Sequence, residues 1–252
     1  MPTRALARQA GDEPPIAAES ELQTLSYVVA HDLSASIRYM TSFSRLLAAE
    51  FGDDLTKKQQ LYADQLETAG VHCAALLEQL LVYSQVQSRS LVRMLRDPTP
   101  VIRLHALRLA AGAASEGAEI SVAPLGPVYA DADLISPAVA AVLDNAIKFR
   151  RPGVAPRVVV EPAHDDAYWR ICVRDNGIGV DPRYREVAFS MFRRLNRADA
   201  YPGVGAGLAV CRRIARRHGG EANFLDCREG ACLEFAIPQT GKQSRRGARP
   251  AL

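Results

Sequence analysis

The chain has 252 residues, room for one large domain or two small ones, and its 48% hydrophobic and 23% charged residues are the balance of a globular protein that needs no staples to hold a core. It carries 31 basic and 28 acidic side chains, yet Lys242, Arg245, Arg246 and Arg249 crowd the last fourteen residues without an acid; the rest hold 27 against 28, a net of −1. The basic balance therefore belongs to a tail and does not mark a nucleic-acid-binding body, and no apolar run approaches the roughly 18 residues of a membrane span. The N-terminal stretch has no apolar core of the kind a secretory signal needs. Five cysteines (Cys73, Cys172, Cys211, Cys227 and Cys232) form no CxxC pair, and the odd set reads as reduced thiols of a cytoplasmic protein rather than disulfides or a metal site.

Residues 1–18 mix Pro, Gly, Ala and charge without a period and predict a disordered leader. Helical spacing then runs to Arg96. Ser20 with Gln23 and Thr56 with Gln59 offer capping boxes, and Phe51-Gly52-Asp53-Asp54 interrupts the pattern. Two helices, about 20–50 and about 56–95, are expected to fold as a hairpin over residues 19–96. The first has a seam at Leu22, Ser26, Val29, Leu33, Ser36, Met40, Phe43 and Leu47, and the second at Tyr62, Leu66, Ala69, Cys73, Leu76, Leu80 and Tyr83, both in alternating steps of four and three. One hairpin buries such seams poorly, whereas two make a four-helix bundle, so a homodimer follows.

Asp97-Pro98-Thr99-Pro100 is expected to stop the second helix, and residues 97–238 then mix helix and strand. The pattern predicts helices near 101–114, 133–150 and 206–218, with extended pieces at 119–122, 127–130, 157–162, 168–174, 221–226 and 231–237. Largely antiparallel strands covered on one face make this half an α/β sandwich. Residues 239–252 read as a disordered basic tail.

Four groups carry chemistry. His31 lies nine steps from Leu22, about 180° around the helix at 100° per residue, and so faces away from the seam with Asp32 beside it. A solvent-facing imidazole can act as a nucleophile and a neighbouring carboxylate can take its proton; a plain surface histidine is the alternative. In Asp144-Asn145-Ala146-Ile147-Lys148-Phe149, Asn145 can ligate a hard cation and Lys148 shares its face, or the segment is a polar helix edge. Asp175-Asn176-Gly177-Ile178-Gly179 follows a strand, where glycines let backbone approach a flat ligand and Asp175 can accept from an exocyclic amine; a strand-ending turn also fits. Gly203, Gly205 and Gly207 with Leu208 open a helix whose first amides favour an anion. The spacing is neither the dinucleotide fingerprint nor a P-loop.

Taken in order and spacing, these groups resemble the sensor histidine kinases of two-component systems, from about Glu19 to Pro238. Ser26 through Arg38, with His31-Asp32-Leu33, is similar to the H-box of kinases that accompany phytochrome-type sensors. Asp144–Phe149 resembles the N-box, Asp175–Gly179 the G1-box, Phe189, Phe192 and Arg194 the F-box, and Gly203–Leu208 the G2-box; Arg212–Gly220 also follows the family pattern. The resemblance implies an α+β fold, in which a dimerising, phosphoryl-accepting hairpin precedes an ATP-binding sandwich of the Bergerat (GHKL) type. It implies His31 as phosphoacceptor and Asp32 as base, Asn145 on Mg²⁺, and Lys148 and Arg194 on phosphate. Asp175 would accept from the adenine amine with Gly177 and Gly179 in its turn, Phe149 would lie against the ring, and Gly203, Gly205 and Gly207 would bring the lid to the triphosphate. The residues between Phe192 and Gly203 form that lid, with Arg193 and Arg197 as further phosphate ligands or a solvated basic loop. The implied partners are a second copy, the receiver domain of a response regulator and a separate input protein, since about 18 residues are too few for a sensor. His72, His105, His164 and His218 read as structural.

Several positions depart from the family pattern. Ser36 stands for a helix-bending proline, which predicts a straighter first helix, and Ala35 for the Thr or Asn of dephosphorylation, which predicts weak phosphatase activity. Ala141 replaces the first asparagine of the N-box, Cys232 falls where the last glycine box has its second glycine, and Asn223 where tryptophan is frequent. A catalytically silent dimeric adaptor that keeps ATP and regulator binding is the alternative in another class. A gyrase-like or chaperone-like ATPase is a third reading, opposed by the hairpin placed ahead of the ATP domain.

Overall fold

The structure, a computed structural model, describes residues 16–52, 55–163, 165, 167–196, 201 and 203–239, the side chains of 16–31 and of residue 116 excepted. Helices α1 (Ile16–Phe51) and α2 (Lys57–Ser88) form the hairpin. Helix α1 starts at Ile16, so residues 16–18 are helical rather than leader and Ser20 lies inside the helix rather than at its cap. The second capping box is present: Gln59 N–H donates to Thr56 Oγ1 (3.3 Å) and Thr56 N–H to Gln59 Oε1 (2.8 Å), satisfying amides that open α2. Gly70 lets the helices meet, since a Cβ there would overlap Thr41 Oγ1, and Arg45 pairs with Glu67 across the hairpin at 2.7 Å.

Helix α1 continues through Ser36, whose hydroxyl donates to the Asp32 carbonyl at 3.1 Å; serine keeps the backbone amide a proline would remove. Leu33, Met40, Phe43, Leu47, Tyr62 and Leu66 point out of the hairpin, with Phe43 63% and Leu66 57% exposed. Met40, Phe43, Leu47, Tyr62 and Leu66 line an apolar groove of about 800 Å³.

Helix α2 ends at Ser88, seven residues before the sequence-based boundary, and the chain turns extended at Arg89. Strand β1 (Met94–Arg96) pairs antiparallel with β3 (Val128–Ala130), and this ladder draws the chain off the helix ahead of Pro98. Asp97 instead opens α3 (Thr99–Gly112) by accepting from the Thr99 amide at 2.9 Å; bonds from the Thr99 hydroxyl and amide hold its carboxyl below the usual carboxylate range.

Strands β2 (Glu119–Val122), β4 (Arg157–Ala163), β5 (Tyr168–Asp175), β6 (Glu221–Leu225) and β7 (Cys232–Pro238) make a sheet in the order β2-β4-β5-β7-β6, parallel at β2–β4 and antiparallel elsewhere. Helices α3, α4 (Ala132–Lys148) and α5 (Gly207–Arg217) cover one face. Period-two alternation sends Val158, Val160, Ile171, Val173, Leu233, Phe235 and Ile237 into the core against Ile135, Val139, Leu143 and Ile214. The other face carries Arg170, Cys172, Arg174 and Glu234. Asp131 N-caps α4 and Pro137 lies within it. Among the described residues, no helix is long and apolar enough to cross a membrane.

Candidate functional site

Asp175 ends β5, and the turn after it is stitched to the loop leaving α4. The Asn176 amide donates to the Ala155 carbonyl (2.9 Å) and accepts from Arg157 N–H (2.8 Å), while Ile178 N–H donates to the Phe149 carbonyl (3.0 Å). A Cβ on Gly177 would stand 2.5 Å from that carbonyl oxygen, so only glycine fits beneath Phe149. Gly179 has φ +74° and faces Gly230, where a Cβ would overlap the Asp175 carbonyl. The close approach at this turn falls on Gly230, and Cys232 lies two residues on, in β7 opposite Arg174.

The Asp175 carboxylate is aimed by two backbone donors, Gly177 N–H at 2.8 Å and Ala231 N–H at 3.0 Å, both on Oδ1. Burial raises its pKa, opposed by those two bonds and by the Arg151 charge. Among the described residues Oδ2 has no donor, so the carboxylate offers one oxygen to an exocyclic amine.

Across from it, the last turn of α4 presents Asn145, Lys148 and Phe149. Lys148 Nζ lies 4.5 Å from the Phe149 ring centroid and would be 2.8 Å from a Cβ on Gly203 (φ +124°). Burial first, then the charge of Arg194, pushes the Lys148 pKa down, with Asp144 opposing. Two cations that feel each other's charge at a half-buried position suit an anion. Gly205 (φ +75°) sits under the Arg193 carbonyl, and its own carbonyl accepts from Phe192 N–H at 3.0 Å. Gly207 begins α5 opposite Asn145, whose side-chain amide has no protein partner among the described residues; Leu208 packs on the core. One amide oxygen suits Mg²⁺, which keeps most of its waters and takes the rest of its shell from phosphate.

Tyr201, not singled out from sequence, closes this side. Its ring is 5.1 Å from that of Phe149 at 49°, its hydroxyl donates to the Arg150 carbonyl (3.2 Å), and its carbonyl accepts from Arg194. Phe189 is buried against Phe224 (5.3 Å) under the Arg212 guanidinium (3.5 Å). Arg193 is exposed, and Arg197 lies outside the described residues. Of the remaining site residues, Asp32 is exposed on α1, while the His31 side chain lies outside the described residues.

The hairpin is bolted to the sandwich where α2 ends. Arg89 pairs with Asp131 (3.3 Å) and Asp133 (3.0 Å), and Val92 N–H donates to Asp131 Oδ2 (3.0 Å). From α5, Arg217 donates to the carbonyls of Val86 and Arg89. His218 is buried, with Nε2 accepting from Asp131 N–H (3.1 Å) and Nδ1–H donating to the Ile214 carbonyl (2.8 Å), a structural role matching the sequence reading.

The glycine turns around a buried aspartate and the asparagine–lysine helix end lie within a stretch that is similar to known ATPase domains. Residues 130–241 match the family described as Histidine kinase-, DNA gyrase B-, and HSP90-like ATPase. The chain is similar to Cyanobacterial phytochrome A of Nostoc sp., 30% identical over 233 residues that cover 90% of this chain and 30% of the relative. In fold it matches full-length ShkA solved in complex with AMPPNP (TM-score 0.64, 24% identity, 86% of this chain and 45% of that one). It also matches histidine kinase ThkA solved in complex with response regulator protein TrrA (TM-score 0.60, 17% identity, 91% and 68%). The chain is similar to the sensor histidine kinases, and it spans under a third of the length of the phytochrome it matches.

Proposed function

We propose that the chain is an ATP-dependent protein-histidine kinase that phosphorylates itself on His31 and passes the phosphoryl group to an aspartate in the receiver domain of a response regulator. The observation that carries this is the pairing of Lys148 and Arg194 beside the Gly203–Gly207 run, set across from an aspartate whose carboxylate is aimed by two amides. Asp175 accepts from the adenine amine, Phe149 lies against the base, and Lys148 and Arg194 neutralise phosphate charge. Asn145 would hold Mg²⁺, which would offset phosphate charge. His31 attacks the γ-phosphorus through an unprotonated ring nitrogen as the bond to the leaving oxygen breaks, and Asp32 takes the imidazole proton.

The apolar stripe of Met40, Phe43, Leu47, Tyr62 and Leu66 supports a second copy as partner, two hairpins closing a four-helix bundle. The ThkA–TrrA complex supports a receiver domain as the other partner. The unpaired thiols support a cytoplasmic setting.

Labelling with Mg²⁺-ATP tests the reading on wild type beside His31→Ala and Asn145→Ala. Base-stable, acid-labile label in wild type alone is expected. ATP binding measured by calorimetry without any label would refute the kinase and leave the adaptor.

A further inference from the structure

The two amides that aim Asp175 belong to different loops: Gly177 to the turn after β5, Ala231 to the connection between β6 and β7. Arg151, on a third loop two residues beyond Phe149, joins them. Its Nε donates to the Gly177 carbonyl at 2.9 Å, and its Nη1 pairs with Glu229 Oε1 at 3.0 Å, one residue before Gly230. The guanidinium is a planar fork with fixed directions, so satisfying both acceptors sets the spacing of the loops. The Glu229 pair is exposed, 42% and 61% at the two side chains, and contributes little energy by itself; its effect is to orient the fork. The Arg151 charge also favours ionised Asp175 against the pull of burial.

We propose that Arg151 is a positioning residue for base recognition: by tying Gly177 to Glu229 it fixes the Asp175 carboxylate and, through it, the preference for a purine carrying a 6-amino group. This rests on the adenine role given to Asp175 above. Arg151 touches no part of the nucleotide in this scheme, so its loss is felt only through the amine.

The test is calorimetric titration of the full chain, with Mg²⁺, by ATP and by purine riboside 5′-triphosphate, which has hydrogen in place of the amine. Arg151→Met is expected to weaken ATP about tenfold, the scale of one hydrogen bond to a charged group, and to leave the purine triphosphate within about twofold. Arg151→Lys, which reaches one acceptor but not both, falls between. Glu229→Gln, on the surface, repeats the split at smaller size and serves if the methionine variant does not fold. Equal losses for both triphosphates, or none for either, would overturn the proposal. Asp175→Asn separates the two levels: if it discriminates between the triphosphates and Arg151→Met does not, the positioning role alone falls. If Asp175→Asn weakens both alike, the adenine assignment falls and this inference with it.

Discussion

Gly177→Ala puts the geometry of the turn after β5 under direct strain. The added Cβ would lie 2.5 Å from the Phe149 carbonyl oxygen and 3.0 Å from Asp175 Oδ1, where favourable carbon–oxygen contacts begin at about 3.3 Å. Neither neighbour can yield cheaply, because the first is backbone and the second is held by two amides. The turn must therefore move by close to 1 Å, at the expense of the Gly177 bond to Asp175 (2.8 Å) and the Ile178 bond to Phe149 (3.0 Å). A bond to a charged group contributes about 1.5–3 kcal/mol and a neutral one about 0.5–1.5, so the combined cost is about 2–4 kcal/mol. On a domain of this size that lowers the melting temperature by about 5–15 °C. On the adenine role proposed for Asp175, the same movement turns its carboxylate away from the amine, and ATP affinity is expected to fall by about 10- to 100-fold. Calorimetric titration with ATP and a thermal melt measure both. A variant that binds ATP within about threefold of wild type and melts within about 2 °C of it would show that the close approach does not matter, contrary to the size of the effects just worked.

Further outcomes follow from the junction, the thiols and the hairpin. Burial first, then the charges of Arg93 and Arg217, hold the His218 pKa below its ordinary value, while its bond to the Ile214 carbonyl and the Asp131 charge oppose this. The unfolded chain then binds the extra proton first, so stability is fully present above the unfolded value and falls as pH drops through the window beneath it; the loss between about pH 7 and 5 in thermal melts should shrink in His218→Gln. Cys73 is exposed, whereas burial pushes Cys211 up to about 12 and Cys172 up to about 11. Peptide mapping after brief treatment with an aromatic disulfide should find Cys73 modified and Cys211 not, and equal labelling would contradict the packing. Leu66→Glu places a charge on the apolar stripe of the hairpin; light scattering should report a dimer for the wild type and a monomer for the variant, and equal masses would remove that stripe from the interface.

What the sequence announced and what it hid divide by the range of the interactions involved. The Thr56–Gln59 cap is a four-residue affair and was legible from spacing alone. So were the sheet strands, whose alternation assigns a core face within a few residues, and Asp175, flagged by the glycines on its own turn. The end of α2 was not legible, because helical spacing continues past Ser88; what stops the helix is the β1–β3 ladder and the Asp131 carboxylate, which takes Arg89 and Val92 about forty residues upstream. The need for glycine at Gly230 was not legible either, because the demand for a bare Cα comes from the Asp175 carbonyl, more than fifty residues away in the chain. Tyr201 and Arg151 carry no motif at all, and only folding brings them against Phe149 and Gly177.

Helix α5 has a different neighbour at each end. Its first residue, Gly207, adjoins the glycine run beside Lys148, and its last, Arg217, grips the carbonyls of Val86 and Arg89 where α2 finishes. Eleven residues at 1.5 Å each make a strut of about 16 Å. It joins the end of α2 to the glycine run, so a shift of α2 held by Arg217 has a short, direct route to Gly207.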